Sequence, residues 1–498
     1  MKIKVFFILL FFFIVLTSIV LPFNYLLNFT SDDSFFYLQT AYNFSNGFGS
    51  TFDTINKTNG YHPLWFLFLS GYFKILNLFG DFSREVLFRL VFLLTGVINF
   101  LSFNLLYHIY KKLSKEFSEK TFYLTFGFTF GISFYFLIGL ENNILLLLFL
   151  FYLYNFISDE HRNHVKIFKE GLILALLFLA RIDLWLFIFL PILISKVKEC
   201  PKNWIKNFFM LSFPSIVVIC FYLIINKLYF GCLLSISSYY KFSNDVLKNL
   251  SFLPNPIKTP IEFGLLMLLI INFFIIFFGK RKYAIFNLRY TKFLMLLYVS
   301  TLIFLFIHMI FNRQGVREWY YTFPIFVSFL VISFILRQSK FYKTIVVFVG
   351  LFNIFYFIIF RTNYYDHSSA YLFAKKLDEV TKFDDVLFQV DYSGIVSFFS
   401  KRKIINGDGL INSCEYYNIQ KRRKVLEYLK KLNPDYLIFY SFDKVFIKDD
   451  VIYNFNLMYN YQVLFPIERV KYCSTLIHGG IFRKKLGTFF LIDTKNFW

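Results

Sequence analysis

Two adjacent carboxylates, Asp32 and Asp33, follow directly on the first long apolar run of the chain, in the segment Ser31-Asp32-Asp33-Ser34-Phe35-Phe36-Tyr37. At a water–lipid boundary, desolvation and mutual repulsion both raise a carboxyl pKa, which suits such a group to take a proton as a general base. The plainer reading is a helix N-terminus ahead of Ser34–Phe44, because Asp favours a cap or a first turn. Glu141, in Gly139-Leu140-Glu141-Asn142-Asn143, stands between two apolar runs, where it is either a second acid or the polar end of a helix. Arg181 and Asp183 interrupt an apolar run, where a central charge costs about 2.5–3.5 kcal/mol on insertion scales. A mutual ion pair or a place in a site would explain them. His62, Lys241 and Arg317 lie in segments between apolar runs and are candidates for a phosphate, which bidentate Arg suits well; ordinary contact with lipid headgroups is the alternative.

The elements that must position these groups are membrane helices. The 498 residues are 57% hydrophobic, with 76 Phe, 35 Tyr and a mean hydropathy of +0.56, which excludes an ordinary soluble protein. A net charge of +22, from 53 basic against 31 acidic residues, would suit nucleic acid, yet the basic residues fall in short clusters between apolar runs. Topology explains that pattern better, and no nucleic-acid partner is expected. The aromatic stripes are assigned to packing and lipid contact.

A span needs about 20 apolar residues. Candidates run over about 5–27, 86–109, 121–139, 142–157, 170–195, 207–229, 261–278, 293–311, 320–337 and 344–360. The apolar stretch 62–79 is read as lying along the outer interface, with Lys74 reaching to the headgroups. If 170–195 is also two short helices meeting near Arg181 and Asp183, every basic loop falls on the cytoplasmic side. About eleven transmembrane helices follow, with the N-terminus cytoplasmic and the loop 28–85 outside. From about 362 onward, short β-like runs (386–390, 436–440, 489–492) alternate with a helical stretch at 421–432. The expected fold is thus a polytopic α-helical membrane module, 1–361, followed by a small extracytoplasmic α/β soluble domain, 362–498.

Met1 to Val20 is similar to a signal peptide but lacks a small-residue cleavage site, so it is read as an uncleaved span. The five cysteines show no metal spacing, and only Cys414 and Cys473 share one soluble region in which they could bridge.

The motifs Asp-Asp-Ser-Phe-Phe-Tyr, Asn46-Gly47-Phe48-Gly49 and Gly60-Tyr61-His62-Pro63-Leu64-Trp65 resemble the first outer loop of the GT-C membrane glycosyltransferases, particularly the bacterial arabinofuranosyltransferase-like branch. The likeness continues in order through Glu141, Leu179-Ala180-Arg181-Ile182-Asp183, Tyr229-Phe230-Gly231, Tyr239-Tyr240-Lys241, Arg317-Glu318-Trp319-Tyr320 and Ile405-Asn406-Gly407-Asp408-Gly409-Leu410. The resemblance implies transfer of a sugar, with inversion, from a polyprenyl-phosphate donor to a glycan, lipid or protein acceptor at the outer face of the cell membrane. It places Asp32 at the catalytic acidic position, with Asp33 beside it and Glu141 and Asp183 as accessory acids. His62, Arg181, Lys241 and Arg317 would meet the donor phosphate. Where the family often has Pro, this chain has Ile182. No motif calls for a cofactor, and a divalent metal held by Asp32 and Glu141 is left open. The rival readings are a lipid-linked glycan transporter, which should carry its charges near mid-membrane, and a glycan polymerase.

Overall fold

The computed structural model describes residues 3–113, 122, 139–158, 164–199, 203–255, 259–279, 288–336, 367–441, 446–448, 451–453, 456–457, 461–462, 465–466, 470–478 and 485–494. The chain divides into two compact units. The first comprises Met1–Val20, Leu90–Tyr222 and Lys241–Phe357; the second comprises Leu21–Arg89, Leu223–Tyr240 and Ile358–Trp498.

The first unit is helical, as apolar runs in lipid must be, because a helix satisfies its own backbone polar groups. Its described helices include Ile3–Val20, Asn142–Ser158, His164–Ala180, Ile182–Glu199, Trp204–Ile225, Pro260–Gly279, Leu288–Phe311 and Glu318–Leu336. Among the described residues, three segments, Arg84–Lys112, Trp204–Phe230 and Lys292–Phe311, are helices long and apolar enough to cross a membrane, and shorter apolar helices accompany them. The expected spans 121–139 and 344–360 lie outside the described residues apart from Phe122 and Gly139, so the count of eleven is not decided.

One local expectation changes. The first span, expected over 5–27, ends at Val20, and Phe23–Leu27 forms a separate turn of helix. Pro22 lacks a backbone N–H and disfavours helix at Leu21 before it. The stretch 170–195 is, as expected, two helices that meet at Arg181, where His164–Ala180 gives way to Ile182–Glu199.

The second unit combines helices from the first loop with a sheet. Helix Pro63–Leu76 has 14 residues, and at about 1.5 Å per residue it rises about 21 Å, short of the ~30 Å hydrocarbon core. It turns Trp65, Phe66, Leu69 and Phe73 inward and leaves Leu67, Phe68 and Ile75 exposed. The five-stranded sheet has the order Lys403–Asn406, Val386–Gln389, Tyr436–Ser441, Lys485–Asp493, Val470–His478. The first three strands are parallel and the last two antiparallel. On one side of the sheet, Phe388, Ile405, Leu437 and Ile492 pack with Tyr416, Val425 and Leu429 of helices Cys414–Lys421 and Val425–Leu432. The helical stretch expected over 421–432 is thus two helices, interrupted where Arg423 takes a positive φ of 58°.

A disulfide joins Cys232 to Cys414, with Cα atoms 6.1 Å apart. This corrects the expected pairing of Cys414 with Cys473. Proximity in sequence pointed to Cys473, whereas packing of Ile236 and Tyr240 against the 410–417 segment brings Cys232 to Cys414.

Candidate functional site

Asp32 is the first residue of helix Asp32–Ser45 but not its cap. Ser31 fills that position, in a capping box with Ser34, so the simple cap reading of Asp32 is replaced. Its carboxylate reaches instead to another helix, Ser393–Ser400. Oδ1 accepts a hydrogen bond from the N–H of Ile395 (2.8 Å) and Oδ2 one from Gly394 (3.2 Å). Only glycine permits this approach at 394. A Cβ there would collide with the backbone carbonyl of Asp32 and come within 2.9 Å of its Oδ1.

The ends of two parallel strands add to this charge. Asp391 lies two residues beyond strand Val386–Gln389, and Asp408 two residues beyond the neighbouring strand Lys403–Asn406. In open α/β sheets the carboxyl ends of parallel strands are where ligand-binding loops gather. Side-chain bonds hold both loops. Gln389 Nε2 donates to the Asp391 carbonyl (2.7 Å), Asn406 Nδ2 to Ser393 Oγ (2.7 Å), and the Gly409 N–H to Asn406 Oδ1 (2.8 Å). The N–H of Leu410 donates to Asp408 Oδ1 (2.7 Å). Gly409, at φ +89°, leaves room for the Tyr240 ring, which a Cβ there would strike.

Burial pushes the Asp32 carboxyl up to about 7; the charges of Asp33 and Asp391 push the same way, and the two N–H donors oppose them. Asp408 is raised well above the usual carboxylate range, first by burial and then by Asp33, Asp391 and Asp32. Four carboxylates from three segments thus act on one another, and one of them is tuned to exchange a proton near neutrality. Among the described residues, no group of three or more His, Cys, Asp or Glu is arranged to hold a metal ion.

The first unit holds a second polar cluster, centred on Arg181. This side chain, 2% exposed, donates from Nε to Asp183 Oδ1 (3.2 Å) and from Nη1 to Asn142 Oδ1 (2.5 Å) and the Trp319 carbonyl (3.1 Å). Nη1 also lies 3.6 Å from Glu141 Oε1, and the guanidinium stacks 4.9 Å from the Tyr320 ring centroid. The helix break at Arg181 is what lets these groups converge. Asp183 Oδ2 lies 3.4 Å from His308 Nε2, and the His308 ring packs against Phe304 and Tyr320. Lys241 Nζ sits 5.8 Å from the Tyr320 ring centroid, and its backbone carbonyl accepts from the Arg313 N–H (3.0 Å).

The remaining candidates are more peripheral. Arg317, with a side chain 48% exposed, lies 4.0 Å from Glu262. His62 precedes helix Pro63–Leu76, and its backbone N–H donates to the Tyr37 hydroxyl (3.1 Å).

No family model and no curated protein matches the sequence. Comparison with solved structures does find a likeness: ArnT from Cupriavidus metallidurans, in a crystal structure bound to undecaprenyl phosphate, matches with a TM-score of 0.57 over 97% of each chain, at 10% sequence identity. The fold is shared with ArnT. This is a likeness of fold alone, and it does not reach the arabinofuranosyltransferase-like branch that the motifs resemble. At 10% identity the likeness to ArnT lies in the arrangement of elements, so the roles of side chains rest on this chain's own geometry.

Sequence reasoning marked Asp32, Asp33, Glu141, Arg181, Asp183 and Lys241 but passed over Asp391, Asp408 and His308 as site residues. For the two aspartates a signal exists, since Asp391 directly follows the β-like run 386–390 and Asp408 stands within the Ile405–Leu410 motif. His308 carries none, because it sits inside an apolar helix and meets Asp183 only through packing.

Proposed function

We propose that this protein is a membrane glycosyltransferase that moves a hexosyl or pentosyl group from a polyprenyl-phosphate donor to an acceptor hydroxyl, with inversion, at the outer face of the cell membrane. The observation that carries the reading is the Asp32 carboxyl, raised to about 7 within an acidic cluster, in a chain with the fold of ArnT. The undecaprenyl phosphate bound in ArnT supports a donor of the same chemical class here.

In the proposed reaction the acceptor oxygen attacks the anomeric carbon opposite the departing phosphate, the carbon–oxygen bond to phosphate breaks, and the acceptor proton passes to Asp32. Phosphate is a good leaving group, so the main demands are a base and a place for negative charge to collect. A pKa near the working pH keeps Asp32 both ionised in part and basic enough to act. Burial, and after it the charges of Asp33 and Asp391, hold that pKa up, and the neighbouring carboxylates would stabilise the positive charge that develops on the sugar ring. Lys241, Arg181, Arg317 and His62 are the proposed partners of the phosphate. Arg181 already balances Glu141 and Asp183, which assigns it to orienting the cluster as much as to neutralising a ligand.

The Cys232–Cys414 disulfide supports an outer-face location for the 223–240 and 367–494 segments, since such bonds persist in oxidising compartments. In this reading the 367–494 segment helps to bind the acceptor. The direct test is to incubate the purified protein with a synthetic polyprenyl-phosphate sugar and an envelope extract, and to follow free polyprenyl phosphate by mass spectrometry. Acceptor-dependent release is expected; its absence with every donor sugar tried would overturn the proposal.

A further inference from the structure

Segment 231–240 of the second unit forms a strap. It starts at Gly231, whose φ of +83° ends the preceding helix, and it runs into the short helix Ile236–Lys241. One side of the strap is open, with Leu233 51% and Leu234 44% exposed. The other side packs as a small cluster of three buried side chains, Cys232, Ile236 and Tyr240, against Leu410, Cys414 and Tyr417. Asn59 adds two hydrogen bonds: its Nδ2 donates to the Leu234 carbonyl (3.2 Å), and its Oδ1 accepts from the Ile236 N–H (3.0 Å).

The strap covers the loop that carries Asp408. A Cβ on Gly409 would strike the Tyr240 ring, and one on Gly60 would strike the Leu410 carbonyl and press on Ile236. The same loop is tied to the sheet by other bonds. The Gly407 N–H donates to the Gln389 carbonyl (2.7 Å), and the Gly407 carbonyl accepts from the Tyr416 hydroxyl (2.9 Å). The sheet packs around its own core of Phe388, Ile405, Leu437 and Ile492, a cluster that includes no described residue of the strap. Apolar burial stabilises in proportion to area, so a cluster of three side chains holds a strap weakly, and segments with few buried contacts open locally at low cost. The Cys232–Cys414 bond lies within that small cluster and spans 182 residues of chain. A covalent tie removes much of the chain entropy that opening would release.

We propose that the Cys232–Cys414 bond is a redox latch: oxidised, it keeps the strap on the Asp408 loop, and reduced, it lets the strap open while the sheet stays folded. The reduction takes a dithiol as co-reactant. Its thiolate attacks Sγ of Cys414, the partly buried half of a pair in which Cys232 is only 7% exposed. The sulfur–sulfur bond breaks, and the Cys232 sulfur leaves as a thiolate and takes up a proton. The second thiol of the reductant then displaces Cys414, so the dithiol ends as a disulfide and both protein cysteines as thiols. Opening uncovers Gly409 and Leu410 and frees the stretch of chain that leads into Lys241. The latch stands on the fold alone, and only its effect on transfer rests on the proposed function.

The test follows backbone amide exchange by mass spectrometry on purified full-length protein in neutral detergent, before and after dithiothreitol, with alkylation of the new thiols to confirm reduction. Exchange over 231–240 should become roughly tenfold faster or more, with strands Val386–Gln389, Lys403–Asn406 and Tyr436–Ser441 unchanged. The double variant Cys232→Ser/Cys414→Ser should exchange like the reduced wild type and ignore dithiothreitol. Should it not fold, the return of protection when the reduced wild type is reoxidised takes its place. A bond that dithiothreitol leaves intact in the folded protein, or exchange that reduction does not change, overturns the latch. So does exchange that rises equally across the three strands, since the bond would then staple the whole unit. Where the oxidised protein releases polyprenyl phosphate, reduction should lower the rate and reoxidation restore it, and a rate that reduction leaves unchanged overturns the effect on transfer. No release from the oxidised protein counts against the proposed function and leaves the exchange result standing.

Discussion

The acidic cluster of the second unit and the Arg181 cluster of the first are both built from groups that a membrane protein can ill tolerate, yet they are balanced in opposite ways. Around Asp32 like charges are gathered. Asp33, Asp391 and Asp408 all act on it or on one another, no ion pair with a described residue answers Asp32, and its pKa rises to about 7. Around Arg181 opposite charges cancel, with Glu141 at 3.6 Å, Asp183 at 3.2 Å and His308 beyond. A frustrated cluster stores a reactive group, whereas a compensated one holds a shape. In the proposed function, proton transfer belongs to the first and positioning to the second.

The largest effect that could break this assignment is on turnover. Asp32→Asn keeps the size of the side chain and one acceptor for Ile395 or Gly394 but cannot take a proton, so transfer should fall by a factor on the order of 10²–10⁴, as for loss of a general base. Near-normal turnover, measured with purified protein and a synthetic lipid-linked donor, would reduce Asp32 to a tie between helices. Next comes stability. Arg181→Ala leaves Glu141 and Asp183 uncompensated and should lower unfolding free energy by about 3–5 kcal/mol, while Asp32→Asn removes a raised carboxyl and should not destabilise at pH 8. Equal melting temperatures for Arg181→Ala and wild type would show that the second cluster is not held by charge.

The smallest effect is the most specific. In the proposed reaction Asp32 acts as the carboxylate, so kcat/KM should rise with pH through about 7. The stability linkage has the opposite sign. A folded pKa of about 7 against an ordinary 3.8 means the native state holds the proton more tightly, so this group's contribution to stability falls as pH rises between those values. Asp33→Asn removes a neighbouring negative charge and should move the midpoint of the pH–rate curve downward. A midpoint that stays in place would show that burial alone sets it.

Much of the architecture was legible in the amino-acid sequence. Apolar runs marked the helices, alternating patterns marked strands near 386, 436 and 489, and the charged interruption at Arg181 marked a break that the structure contains. The Asp32-Asp33 doublet stood out because adjacent carboxylates beside an apolar run are expensive, and expense is visible in composition. Less visible was anything that depends on which residues meet. Pro22 ended the first helix earlier than hydropathy alone implied, and Ser31 took the cap that Asp32 had been free to occupy.

The residue types and their apolar surroundings thus determined that this is a helical membrane protein with a costly acidic pair at a helix start, since hydropathy and local propensity act over one or two turns of chain. Tertiary structure decided what that pair meets. Only the pairing of parallel strands sets Asp391 and Asp408 at neighbouring strand ends, and only the approach of Gly394 and Ile395, more than 360 residues along the chain, engages Asp32. Only packing joins Cys232 to Cys414 across 182 residues and closes Arg84 between Tyr42 and Phe398. Desolvation and charge interaction depend on distance in space, and a shifted pKa appears only once the chain has folded.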